Sequence, residues 1–312
     1  MSTTTAQRRL KILFYPLDST GHINACIGIA EKLLAGGHQV VFALERSWTG
    51  QLVKHGFEEV LYTDHTRPEG LGPNEYWLNS MRLIEDVLPE DSLYKAGHQA
   101  IQEFEELVMN GLHFDDQLRE IIEQLKPDVI ITDNYTSVPA IIRSGRVWVQ
   151  MVSAGPLTVI PCENTPPGGS GTLELYQVFI SKLTKFLQIG YPTNGDRAQW
   201  KHFEETFNGH YGPSIEKYLT ALKEHGLTDP PPEGYIFHPS PYLNIYAYPL
   251  ELDYLDIRPL PEKWLRFDHF IRSSAMESDA VWEVPQSLAA LPGKLVYVSM
   301  GSMGCAGTQK VV

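Results

Sequence analysis

An α/β fold, a Rossmann-like parallel sheet flanked by helices, is predicted by three features of the sequence. Short apolar runs of strand length alternate with amphipathic stretches of helix length. The first such unit is complete, with KILFYPL followed by CIGIAEKLLAGG and then QVVFAL, and two later runs, DVIITD and VWVQMVS, have apolar centres. Strands covered on both faces read as apolar runs rather than as a strict alternation, and parallel strands need a helix between them.

The elements follow in order. EEVLY continues the first unit as a further strand, giving β-α-β-β. A long helical zone runs from Asn74 to Leu125, where AIQEFEELV and LREIIEQL place apolar residues at helical spacing, and Pro127 closes it. DVIITD and VWVQMVS are the next strands, with NYTSVPAIIRSG as a short helix between them. GPLTVIPCENTPPGGSGT reads as a surface loop, LELYQVFISKLTKFLQIG and QWKHFEETFNGHYGPSIEKYLTALKEHG as helices, and YLNIYAYPLELDYL returns a strand to the sheet. A linker is expected around Arg272 to Ala280, and GKLVYVSMGSMGCAGTQKVV reads as a strand, a glycine turn and the start of a helix. These features divide the chain into residues 1–275, one Rossmann-like domain, and residues 276–312, a linker with the beginning of a second, truncated Rossmann-like domain.

Composition narrows the function classes. With 312 residues, 43% of them apolar and 20% charged, the chain can fill an ordinary core. A formal net charge of -13 gives no basic footprint for nucleic acid or for an anionic membrane surface, so neither is expected as a partner. Cys26, Cys162 and Cys305 are scattered without CxxC spacing, which fits reduced thiols and an expected cytoplasmic location. The apolar run after Arg8, Arg9 and Lys11 is too short for a signal h-region, and no window reaches the ~18 apolar residues of a membrane span.

In an open parallel sheet, ligands gather beyond the carboxyl ends of the strands. His22 follows the first strand and the turn DSTG; Asp133 ends DVIITD, an equivalent place on a later strand. A neutral imidazole accepts the proton of a substrate hydroxyl, and a carboxylate on its other nitrogen fixes the tautomer. The same residues also fit a histidine exposed at a helix start and an aspartate capping the next helix. SMGSMGCAG, with glycines at 301, 304 and 307, can hold a diphosphate on its backbone N–H groups or serve simply as a tight turn. VSAGP and GGSGT both miss the GxSxG of serine hydrolases, there is no HExxH, and there is no DxD, so no metal ligands are expected. DSTGHIN lacks the glycine fingerprint of a nicotinamide enzyme. Tyr76, Trp77, Phe104, Phe114, Phe179 and Phe186 either line an apolar cleft or pack between helices.

Taken together, these stretches resemble the UDP-glycosyltransferases, which move a sugar from a UDP-sugar to small lipophilic acceptors. GHINACIGIAEKLLAGGHQVVFA is similar to that family's first βαβ unit, PDVIITD to the segment of its catalytic aspartate, VSAGP to its sugar-side loop, and GKLVYVSMGS to the strand that opens its donor domain. The resemblance implies a GT-B fold of two Rossmann-like domains across a cleft, with residues 1–275 forming the acceptor side. It implies His22 as general base and Asp133 as its partner, Ser19, Gly21 and Ser153 around the reacting sugar, and Ser302 at the donor phosphates. The implied reaction is an inverting, metal-independent hexosyl transfer, with the UDP-sugar as co-substrate and no bound cofactor. Ala25 stands where many members have proline. The family's HGG-containing donor signature and its acidic–Gln pair would lie past Val312, so this chain by itself is expected to transfer little sugar. A non-catalytic small-molecule-binding module that keeps the acceptor cleft is the alternative.

Overall fold

The computed structural model describes residues 8–64, 109, 111–153, 155, 160, 162–165, 194–272 and 286. Its elements are β1 (Lys11–Pro16), α1 (Thr20–Ala35), β2 (Gln39–Glu45), β3 (Glu58–Tyr62), α2 (Asp115–Leu125), β4 (Val129–Asp133), α3 (Pro139–Ile142), β5 (Val147–Val152), α4 (Asn194–Glu224), β6 (Leu243–Ala247) and β7 (Trp264–Phe267), with short 3₁₀ turns between some of them. The strands form one sheet in the order β3-β2-β1-β4-β5-β6-β7, and every neighbouring pair is parallel. This is the predicted fold class.

The side-chain alternation of the strands builds two apolar layers. Ile12 and Phe14 of β1, with Val40, Phe42 and Leu44 of β2, face Ile23, Cys26 and Ile27 of α1. Leu13, Tyr15, Val41 and Ala43 face the other way, onto Leu118, Ile121 and Ile122 of α2. Phe14 and Phe42 stack with ring centroids 4.9 Å apart, and burying each such ring contributes roughly 1.5–3 kcal/mol. A third cluster docks the end of α4 through Tyr218, Ala221, Leu222 and the following Leu227 onto Leu112 and Ile142.

Helix ends follow local chemistry. Asp115 and Asp116 occupy the first turn of α2, where negative charge opposes the helix dipole. That helix stops at Lys126, which takes a left-handed φ of 50° immediately before Pro127. In α1, residue 28 must be glycine because the chain returning from β7 crosses the helix there. A Cβ at Gly28 would stand 2.3 Å from the Phe270 carbonyl oxygen.

One strand of the sheet, β7, carries little signal in the sequence. β7 has only four residues, and Leu265 and Phe267 are half-exposed at the sheet edge, so its apolar signal is short and interrupted. The division at residue 275, the strand GKLVYVS and most of the helical zone 74–125 lie outside the described residues. Among the described residues no helix is long and apolar enough to cross a membrane.

The strand order reverses between β1 and β4. The chain lays β2 and β3 on one side of β1 and β4 to β7 on the other, and in open parallel sheets the carboxyl ends of the strands at such a reversal are where ligands gather.

Candidate active site

The site assembles from the ends of β1 and β4. Pro16 and Asp133 are the last partners in that register, and the Leu17 N–H still donates to the Asp133 carbonyl at 2.8 Å. The chain then turns at Ser19, which is extended (φ −149°, ψ 140°) and caps α1 with its backbone. The Ser19 carbonyl accepts from the Ile23 N–H at 3.0 Å, while its hydroxyl makes no capping bond.

Helical spacing then decides where His22 points. His22, Cys26 and Ala30 form one buried stripe, each four residues from the next, on the sheet-facing side of α1. Cys26 and Ala30 meet the apolar layer. His22 is the first of the stripe and stands past the strand ends, where it meets a carboxylate. Its Nδ1 lies 2.9 Å from Asp133 Oδ2, with His22 7% and Asp133 2% exposed.

The ionised carboxylate only accepts, so the proton of that contact sits on Nδ1 and the lone pair on Nε2. Nε2 makes no hydrogen bond among the described residues. The edge-on Tyr135 ring, with its centroid 4.9 Å from that of His22 at 88°, holds the imidazole from the side. Burial, reinforced by the Asp133 charge, pushes the Tyr135 hydroxyl up to about 12, so it stays a neutral phenol. The same two causes push the Cys26 thiol well above its ordinary value, which makes it an apolar part of the floor.

The other predicted site residues divide. Ser153, one residue past β5, joins the pair: its N–H donates to Asp133 Oδ1 at 3.1 Å and its Oγ is 3.1 Å from His22 Nδ1. Ser19 is half-buried on the loop before His22. Gly21 is exposed, and no heavy atom lies within 4 Å of the place a Cβ would take, so open space adjoins the start of α1. Ser302 lies outside the described residues. Phe114 belongs to the core under Tyr62, with rings 4.7 Å apart, and lines no cleft; the other five aromatic candidates lie outside the described residues.

Two contributors were missed. Tyr135 carried no motif beyond its place two residues after Asp133. Asp18, in the turn before His22, accepts from Trp48 Nε1–H at 2.5 Å, and both residues are buried. A buried aspartate in the turn DSTG is a usable sequence signal only once its aromatic partner on the next strand's loop is known.

Comparison with known proteins bears on the fold. Over 151 residues, 48% of this chain and 30% of the relative, the sequence is 24% identical to demethyllactenocin mycarosyltransferase of Streptomyces fradiae. The solved glycotransferase of kitacinnamycin superposes with a TM-score of 0.52 at 15% identity, covering 90% of this chain and 56% of that one. The sheet is that of a GT-B glycosyltransferase domain. Glycosyltransferase VinC in complex with DTDP is similar at a TM-score of 0.43 and 17% identity, over 91% of this chain and 58% of its own. No model of a protein family matches the chain. The chain is thus glycosyltransferase-like in fold and, distantly, in sequence, and it spans 30% of the curated relative and 56% of the solved one.

Proposed function

We propose that this chain carries the acceptor side and the general base of an inverting transferase, which moves a hexosyl group from a nucleotide sugar, UDP-linked in the resemblance, to a hydroxyl of a small lipophilic acceptor. The observation that carries the reading is the contact of His22 Nδ1 with Asp133 Oδ2 at 2.9 Å, placed where the strand order reverses. The mycarosyltransferase relative supports sugar transfer as the reaction class.

The chemistry follows from the pair. The acceptor hydroxyl donates to Nε2 while its oxygen attacks the anomeric carbon. As that C–O bond forms, the bond to the diphosphate oxygen breaks and its electrons leave with the nucleotide. The hydroxyl proton passes to Nε2, and Asp133 stabilises the imidazolium through the Nδ1–H. A single displacement of this kind inverts the anomeric configuration. Ser19 and Gly21 border the sugar, and Ser302 meets the donor phosphates. No step runs through a metal or a cofactor.

The test uses the longest native polypeptide that contains these residues. It is incubated with UDP- and TDP-linked hexoses and a panel of hydroxylated lipophilic acceptors. Products are detected by mass spectrometry, and the anomeric configuration is read by proton NMR coupling. A product inverted relative to the donor is expected. A retained configuration contradicts the mechanism, and calorimetric acceptor binding with no product from any donor favours the non-catalytic module.

A further inference from the structure

We propose that Ser153 is a positioning residue for the base, an inference that rests on the transferase reading of the site and assigns Ser153 a different task from the sugar contact implied by resemblance. β5 ends at Val152, and its last ladder pair with β4 is Gln150 with Thr132, three residues before Ser153. The Ser153 N–H turns to a side chain, donating to Asp133 Oδ1 at 3.1 Å. Its hydroxyl oxygen lies 3.1 Å from His22 Nδ1. One residue thereby grips both members of the pair, each at a different atom.

The consequences differ for the two halves of that grip. The carboxylate has two oxygens, and the contacts divide them: Oδ2 to His22 and Oδ1 to the Ser153 N–H. This fixes the rotation of the carboxylate about its Cβ–Cγ bond, and it depends on backbone alone, so any residue except proline at 153 retains it. The hydroxyl acts on the imidazole. With Asp133 ionised, the Nδ1–H finds two acceptors, Oδ2 at 2.9 Å and Oγ at 3.1 Å. When His22 takes the acceptor's proton at Nε2, the Nδ1–H becomes more acidic and both acceptors bond it more strongly. The serine oxygen therefore contributes more to the charged transition state than to the resting enzyme, which is the condition for raising kcat. It also shields the Nδ1–H from water.

Ser153→Ala removes the oxygen and leaves the N–H on Asp133, while Ser153→Thr keeps both. The first measurement is ¹⁵N NMR of the histidine rings in the 312-residue chain, with the His22 signals assigned by their loss in His22→Ala. In the wild type, Nδ1 carries the proton. In Ser153→Ala it still does, because Asp133 remains, but the Nδ1–H exchanges with water about tenfold faster or more, and Ser153→Thr restores slow exchange. In turnover by the longest native polypeptide that contains these residues, Ser153→Ala lowers kcat about tenfold or more with donor and acceptor KM within about twofold. Unchanged exchange in Ser153→Ala, or a rise in donor KM at constant kcat, overturns the proposal, the second result returning Ser153 to the sugar. The NMR result does not depend on turnover, so absence of product from every variant would refute the transferase reading while leaving the role of Ser153 at the imidazole tested.

Discussion

Replacing Asp133 with asparagine keeps the shape of the side chain and turns one of its two acceptors into a donor. In the wild type, Oδ2 is 2.9 Å from His22 Nδ1 and Oδ1 takes the Ser153 N–H at 3.1 Å, with the residue 2% exposed. The asparagine has two orientations. If Nδ2 faces Ser153, two N–H groups meet in a buried site and an unsatisfied donor costs about 1–3 kcal/mol. If Nδ2 faces His22, the imidazole relieves the clash by moving its proton to Nε2, a smaller cost. The second orientation therefore wins, and it places a proton on the nitrogen that must accept one. The base contribution, roughly 10²- to 10⁴-fold, should be lost from kcat, as it is for the wrong tautomer in a Ser-His-Asp triad. Initial rates at saturating substrates measure the loss, calorimetry checks that acceptor Kd stays within about threefold, and ¹⁵N NMR reads the tautomer. A kcat within about threefold of wild type, or a proton still on Nδ1, would show that Asp133 does not set the tautomer of the base.

Further outcomes concern the scaffold around the pair. Gly28→Ala puts a methyl 2.3 Å from the Phe270 oxygen and 2.9 Å from the Ile271 carbonyl carbon, so the usual helix gain of about 1 kcal/mol should be reversed into a loss of about 1–3 kcal/mol in urea melts; an equal or higher midpoint contradicts this. Trp48→Phe deletes the indole N–H on buried Asp18 and should cost about 1–3 kcal/mol by the same measurement, against no change if the turn before His22 does not use that bond. His238 is tied to Ser137, with Nδ1 and Oγ 2.7 Å apart, and burial pushes its imidazole below 6.5, although the Asp229 carbonyl and charge oppose that. The unfolded chain then binds more protons below about pH 6.5, so stability is full above that pH and falls as the pH drops toward the folded value. His238→Gln should flatten the dependence of Tm on pH as the pH falls below about 6.5, and an unchanged slope would remove His238 from that effect.

The features legible in the sequence are those that repeat along it. Apolar runs buried on both faces announced β1, β2, β4 and β5, and the order of the first unit placed α1 after β1, so a histidine at a helix start and an aspartate at a strand end were drawn to the same end of the sheet. What joins them was not legible. The N–H of Ser153 on Asp133 is a backbone group with no residue signature, and Tyr135 meets His22 only because β4 and α1 are brought together by the reversal of strand order. Phe114 illustrates the limit from the other side, since an aromatic residue at helical spacing fits a cleft wall and a core equally well until its packing against Tyr62 is seen. β7 was hidden by its length and its exposed edge.

His22 is the group proposed to take the acceptor's proton, and His22→Ala in the longest native polypeptide carrying these residues is the direct test. The ring lies among Asp133, Ser153 and Tyr135 and is 7% exposed, so a melting curve is recorded alongside to show that the variant is folded. The sugar-transfer rate is expected to fall roughly 10²- to 10⁴-fold with acceptor affinity retained. A folded His22→Ala protein that turns over at close to the wild-type rate would contradict that role for His22.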